Sequence, residues 1–281
     1  LRIYTVIKAL NNNVIIALNN DNQEVVLIGK GIGFNKKRND IIQEDTVEKL
    51  FELRNKTEQE NYKKLLPSME DSTLEAIITA IEMIKRRSNT LINEKVHVAL
   101  TDHILFAITR LKRGMEITNP FLSETKALYP FEYELASEIV DNMNQSLDIQ
   151  LPEGEVGFIA LHVHSAITDK SLSDLSVYSN LLSRLTRTIE EQLKIDIDRE
   201  GIDYLRLVRH IRYTIERVIN GEKMEEPMKL ANLLKKEYPM CYNLAWKLIK
   251  MMQQTLKKPV YDAEAVYLTM HLQRLAIKYD S

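Results

Sequence analysis

Hydrophobic and polar positions follow two different periods along the chain. Over the first fifty or so residues they form short runs rich in Val, Ile and Tyr: Ile3 to Leu10, Val14 to Asn19 and Glu24 to Ile28. Asn11-Asn12-Asn13 and Asn19-Asn20-Asp21-Asn22 separate them, and both are turn-forming clusters, so the pattern predicts three antiparallel strands. A fourth extended segment is expected within Glu44 to Leu53. So small a sheet has one apolar face and few residues to cover it, which predicts pairing with a second copy. From about residue 65 the period becomes helical: Ser72-Thr73-Leu74-Glu75 has the form of a capping box ahead of Leu74, Ile77, Ile78, Ile81 and Ile84.

The helical part is written twice. Leu100-x-x-His103-Ile104-x-Phe106-x-Ile108-x-Arg110 recurs as Leu207-x-x-His210-Ile211-x-Tyr213-x-Ile215-x-Arg217, so the offset from 103 to 210 is 107. Tyr129-Pro130-x-x-Tyr133 recurs as Tyr238-Pro239-x-x-Tyr242, and Glu155-x-x-Phe158-Ile159-x-Leu161-His162 as Glu264-x-x-Tyr267-Leu268-x-Met270-His271, where 155 to 264 is 109. Solenoid repeats run about 20 to 50 residues, so a unit of this length is a whole small domain. Gly114 and Gly221 are placed as equivalent helix stops, and Pro130 and Pro239 as equivalent helix starts. The break between copies is expected at Thr168-Asp169-Lys170-Ser171. The reading is a small antiparallel all-β module over residues 1–57, followed by two homologous all-α bundles over 65–169 and 170–281.

Composition narrows the class. No apolar stretch approaches the ~18 residues of a membrane span, and the alternating N-terminus is unlike a signal peptide, which points to a cytoplasmic protein without membrane insertion. Cys241 is the only cysteine, so a disulfide within the chain and a multi-cysteine metal site are excluded. The net charge of −2 hides a basic pole: residues 1–40 carry Arg2, Lys8, Lys30, Lys36, Lys37 and Arg38 against Asp21, Glu24 and Asp40. That imbalance calls for an anionic partner at the N-terminal module.

Gly29-Lys30-Gly31-Ile32-Gly33-Phe34-Asn35-Lys36-Lys37 has the wrong spacing for a dinucleotide fingerprint and lacks the Gly-Lys-Ser/Thr of a phosphate loop. Two readings stay open for it: an ordinary basic hairpin, or an RNA contact in which glycines admit the backbone, Phe34 stacks and the lysines meet phosphates. His162-x-His164 is a poor metal pair because two helical residues diverge by about 200°, and the second copy has Gln273 in place of His164. A lone histidine on an apolar helix is ordinarily a core residue. Four of them, His103, His162, His210 and His271, at equivalent places in two copies imply that each bundle brings a pair together. Neutral imidazole can accept a phosphoryl group near neutral pH, and the added charge can repack an interface. Arg110 and Arg217, seven residues after the first histidine of each copy, are candidates to meet that phosphate or a docked donor; Glu155 and Glu264 are candidates to orient a ring.

With these residues on the page, the chain resembles the transcriptional antiterminators of the BglG/SacY/LicT family over essentially its whole length. Lys8-x-x-Asn11-Asn12-Asn13-Val14 and the 29–37 loop resemble that family's RNA-binding module, and the 157–166 and 238–274 segments are most similar to its glucose-operon members. The resemblance implies a dimeric four-stranded module that grips a leader-mRNA hairpin and prevents an overlapping terminator from forming, here for glucose uptake genes. It implies RNA contacts at Lys8, Asn13, Gly29, Lys30 and Phe34. It also implies phosphorylation of His103 and His162 from a sugar permease (enzyme II) of the phosphotransferase system, which inactivates, and of His210 and His271 by the phosphocarrier HPr. No cofactor, metal or catalytic residue is implied. Two alternatives are a DNA-binding activator with the same regulatory domains, for which residues 1–57 offer no helix-turn-helix, and a metal hydrolase built on the histidines.

Overall fold

The computed structural model describes residues 2–44, 50–89, 92–115, 118–168, 170–225 and 227–279. Five strands, β1 (Ile3–Ala9), β2 (Val14–Leu18), β3 (Glu24–Ile28), β4 (Ile41–Gln43) and β5 (Phe51–Leu53), form one antiparallel sheet in the order β4-β1-β2-β3-β5. The sheet thus has one strand more than the four implied above. β4 is only three residues long and too short to leave an alternation signal; of the expected fourth segment, β5 is the described strand, and residues 45–49 lie outside the described residues.

Strand alternation sends apolar side chains to both faces. Tyr4, Val6, Ile15, Ala17, Val25, Leu27 and Ile42 gather on one side with Ile32 from the loop after β3. Arg2 and Tyr4 at the start of β1 reach Glu52 of β5, at 3.5 and 3.4 Å, so the sheet curls toward closure over that cluster. Val14, Val26, Ile28, Phe51 and Leu53 face the other way and join Tyr62, Leu74, Ile77 and Leu100 of the helices that follow. The premise of an uncovered apolar face therefore fails: one chain buries both faces of its own sheet.

Helix α1 (Lys56–Leu65) begins before the expected change of period because its amphipathic signal is weak, with Gln59 and Tyr62 its only buried residues. Asn55 caps it, accepting from the amides of Thr57 and Glu58 at 2.9 and 3.2 Å. Helix α2 (Asp71–Ser88) starts after Glu70 without a side-chain cap. Ser72 is already inside the first turn, so the expected capping box does not form. Helices α3 (Lys95–Lys112), α4 (Leu122–Leu128), α5 (Pro130–Leu147) and α6 (Glu153–Thr168) complete the first copy, and α7 (Leu172–Leu193), α8 (Ile202–Asn220), α9 (Met228–Glu237), α10 (Pro239–Leu256) and α11 (Ala263–Tyr279) form the second. Gly114 and Gly221 follow α3 and α8 at φ +65° and +70°, the left-handed backbone that ends a helix, and Pro130 and Pro239 open α5 and α10. Asp169, in the expected break between copies, lies outside the described residues.

By contacts the chain gathers into two compact units: Leu1–Asn119 with Phe131–Leu172, and Pro120–Pro130 with Ser173–Ser281. Helix α4 thus packs in the second unit, where Thr125 Oγ1 lies 3.3 Å from Ser179 Oγ and Arg212 donates to the Leu128 carbonyl at 2.9 Å. In the first unit α6 is apolar on nearly every side and runs through the core, which is why its polar residues Glu155, His162 and His164 are buried.

Gln59 ties the sheet to α1: its buried amide donates to the carbonyls of Leu53, Glu24 and Arg54. Gln59→Leu keeps the volume and strips those carbonyls of their donor, so it should destabilise the first unit by roughly 1–3 kcal/mol. Urea unfolding of the purified variant checks this; an unchanged midpoint would show that solvent replaces the amide.

Candidate functional site

Each helical copy brings its two histidines into ring contact. The centroids of His103 on α3 and His162 on α6 are 4.9 Å apart, and those of His210 on α8 and His271 on α11 are 5.1 Å apart. A buried carboxylate backs each pair. Glu155 Oε2 lies 2.9 Å from His103 Nε2 while its Oε1 accepts from Arg110 at 2.6 Å. Glu264 repeats this with His210 Nε2 at 3.2 Å, Arg217 at 2.7 Å and, in addition, Thr214 Oγ1 at 2.8 Å. An ionised carboxylate can only accept, so Nε2 of His103 and of His210 donates to it. Burial alone would push the Glu264 carboxyl up, but the bonds from His210, Thr214 and Arg217 outweigh it and hold the group below the usual carboxylate range.

The glutamates therefore orient rings as expected, each across the helix pair to the histidine of the partner helix. The arginines do something else. Arg110, expected to meet a phosphate or a donor, is 7% exposed and spends its guanidinium on Glu155 and on the face of Phe106. Phe106 and Tyr213, three residues beyond His103 and His210, are exposed.

His162 and His164 diverge along α6 as the helical angle requires. His162 meets His103; His164 Nδ1 instead pairs with the buried carboxylate of Glu132 on α5 at 2.7 Å. Sequence reasoning weighed His164 only as a metal ligand and missed Glu132. The signal was present: at the 109 offset Glu132 becomes Cys241 and His164 becomes Gln273, and Cys241 Sγ donates to Gln273 Oε1 at 3.3 Å. Both partners changed together. Among the described residues no cluster of three or more His, Cys, Asp or Glu side chains could hold a metal ion.

At the N-terminal module the basic loop is rigidly built. Asn13, one of the expected contact residues, is buried, and its Oδ1 accepts from the Gly31 amide at 2.7 Å while its carbonyl accepts from Gly29 at 2.9 Å. These two bonds shape the loop from within, while the Asn13 Nδ2 is buried without a hydrogen-bond partner. Gly33 donates to the Asn12 carbonyl, and a Cβ there would stand 2.1 Å from the Asn11 carbonyl oxygen, so only glycine fits. Phe34 emerges 63% exposed. Gly29 is buried; Lys30 is exposed and reaches Glu75 of α2 at 2.9 Å; Lys8 is exposed on β1 beside a break in register with β2. Asn12 reaches Asp71 of α2 at 3.0 Å. Asp71 was not singled out from the sequence, because a solvated acid on a helix carries no periodic signal, and Glu75 was read only as the acidic end of a capping box.

Comparison with known proteins gives consistent matches. The CAT RNA binding domain family matches residues 4–60, and the PRD domain family matches twice, over 79–166 and 183–275. The PtsGHI operon antiterminator of Bacillus subtilis (strain 168) is 52% identical over 275 residues, covering 98% of each chain. The GlcA/glcB genes antiterminator of Staphylococcus carnosus (strain TM300) is 44% identical, covering 96% of this chain and 94% of the relative. A crystal structure of GlcT CAT-PRDI superposes with a TM-score of 0.58 at 49% identity, covering 59% of this chain and 99% of the other.

The histidine environments set a pH dependence. Burial, then the charge of His103, drives His162 down to about 3; burial, then Lys85, drives His97 down to about 3; burial, then His210 and two arginines, drives His271 down to about 4. In the unfolded chain these rings titrate near ~6.5. Their contribution is fully present above that pH and is lost as pH falls toward the folded values, because only the unfolded chain takes up the protons. Stability should drop by on the order of 1–2 kcal/mol for each of the buried rings of His162 and His97 between pH 7.5 and 5, above the carboxylate range, and by less for the half-buried His271, which solvent screens. Equal urea midpoints at those two pH values would refute it.

Proposed function

Since the chain belongs to the CAT–PRD family of transcriptional antiterminators, a regulator and not an enzyme, we propose that it grips a leader-mRNA hairpin through the 29–37 loop and that phosphorylation of its paired histidines sets whether it does so. The observation that carries the reading is the ring contact in each copy, repeated with its Glu and Arg partners. A structural histidine needs one satisfied neighbour; a duplicated pair of rings, one oriented by a carboxylate and one held neutral by burial, suits phosphoryl acceptance.

In this reading His103 and His162 receive phosphoryl groups from a sugar permease of the phosphotransferase system, and His210 and His271 from HPr. The regulated genes serve glucose uptake, in keeping with what the relatives are called. Lys8, Lys30 and Phe34 touch the RNA; Asn13 and Gly29 shape the surface that presents them. The active form is a homodimer in which two such loops face one hairpin. Glu75 pairs with Lys30 and Asp71 holds Asn12 beside it, so α2 of the first regulatory copy competes with RNA for the loop. The pair is exposed and screened by solvent, so a small change in the bundle can overcome it.

Phe34→Ala should weaken hairpin binding by tenfold or more, since stacking one base on an aromatic is worth about 1–3 kcal/mol; a gel shift with wild-type affinity would remove Phe34 from the interface. His103→Asp should silence a leader–terminator reporter in cells. A constitutively active His103→Asp protein would reverse the assigned sign.

A further inference from the structure

In the first copy a cavity of about 270 Å³ opens beside His162. It is walled by Lys95 and Ala99 of α3, Ser165 of α6, and Lys170 and Ser171 just ahead of α7. Bulk water takes roughly 30 Å³ per molecule, so there is room for a phosphoryl group and several waters. Three features give the cavity a chemistry. His162 is 9% exposed and its Nδ1 is buried without a hydrogen-bond partner, an orphan of the kind that native cores seldom leave. Lys95 and Lys170 both line the cavity, and neither has an acidic partner among the described residues. The two copies also differ along this wall: Lys95 corresponds to Ile202 and Ala99 to Arg206 at the 107 offset, and Ser165 to Arg274 at the 109 offset. Both arginines act on His271 through their charge. The second copy thus carries arginines where the first has the small residues Ala99 and Ser165, and it has no lysine at the place of Lys95.

We propose that this cavity is the receptacle for a phosphoryl group on His162, with Lys95 and Lys170 as its counter-ions. The proposal rests on the phosphorylation reading above and deepens it. In the transfer, the lone pair of a His162 ring nitrogen forms the new N–P bond as the donor's N–P bond breaks. The donor nitrogen leaves with that electron pair and takes up the proton shed by the other nitrogen of His162. A dianion on so buried a ring either finds cations inside the protein or forces the helices apart, because an unpaired buried charge is costly. Lys170 and Ser171 lead directly into α7, so binding the phosphoryl group recruits the segment through which the chain leaves the first unit.

The test uses the full chain and phosphoramidate, a small donor whose leaving group is ammonia, with ³¹P NMR of the phosphohistidine resonance that is absent from His162→Gln. Two facing lysines favour the dianion, so the second ionisation of the His162 phosphoryl group should move up by about one pH unit when Lys95→Gln and Lys170→Gln are combined. Lys95→Arg with Lys170→Arg should restore it, and the resonances of the other phosphohistidines should not move. If wild-type His162 is phosphorylated and its titration ignores both lysines, the receptacle falls and the phosphorylation reading survives. If phosphoramidate and the phosphotransferase donors both leave wild-type His162 unmodified, the two fall together.

Discussion

A buried carboxylate between a histidine and an arginine organises each regulatory copy. Glu155 is 3% exposed and Glu264 2%. Ionised groups so deep in the protein persist only with good partners, and removing one partner of such a pair typically costs about 3–5 kcal/mol. Both partners of Glu155 stand on α3, both charged partners of Glu264 on α8, and the carboxylates themselves on α6 and α11. Satisfying the carboxylate therefore fixes two helices against each other, and the histidine seven residues on, His162 or His271, is carried into contact with His103 or His210. The ring pair is a consequence of that constraint, and any charge added to a ring acts at the same junction.

Duplication preserved this geometry and let the surroundings diverge. The first copy keeps an ionisable pair, Glu132 with His164, where the second has Cys241 with Gln273. His162 is more deeply buried than His271, and the cations near the two rings stand at different positions, Lys95 and Lys170 in the first copy and Arg206 and Arg274 in the second. Two sites with one backbone arrangement can thus answer differently to charge. That needs no difference in fold.

The RNA-binding module solves a separate problem, which is to hold an exposed aromatic and several lysines in a fixed shape without a large core. Asn13 does so from inside, bonding the Gly31 amide with its side chain and the Gly29 amide with its backbone, and Gly33 allows the loop to lie against the Asn11 carbonyl. A preformed loop has less conformational entropy to lose on binding. The same module meets Asp71 and Glu75, so the element that carries Lys30 is in contact with a helix of the first regulatory copy.

Period and repetition in the chain were enough to establish a small sheet followed by two equivalent helical domains, the four histidines worth attention, the glutamates seven residues before two of them, and the turn positions of Gly114, Gly221, Pro130 and Pro239. These are local or repeated features, and local backbone preferences with apolar spacing write them directly into the residue order. Only the tertiary structure decided that Arg110 turns inward to Glu155, that Asn13 braces the loop from beneath, that His164 belongs to Glu132, that α4 packs in the second unit, and that the sheet buries both of its faces within one chain. Each of these depends on which partner a side chain finds tens of residues away. A pairing of that kind is set by packing and by the need to satisfy buried charge, and it leaves no period along the chain.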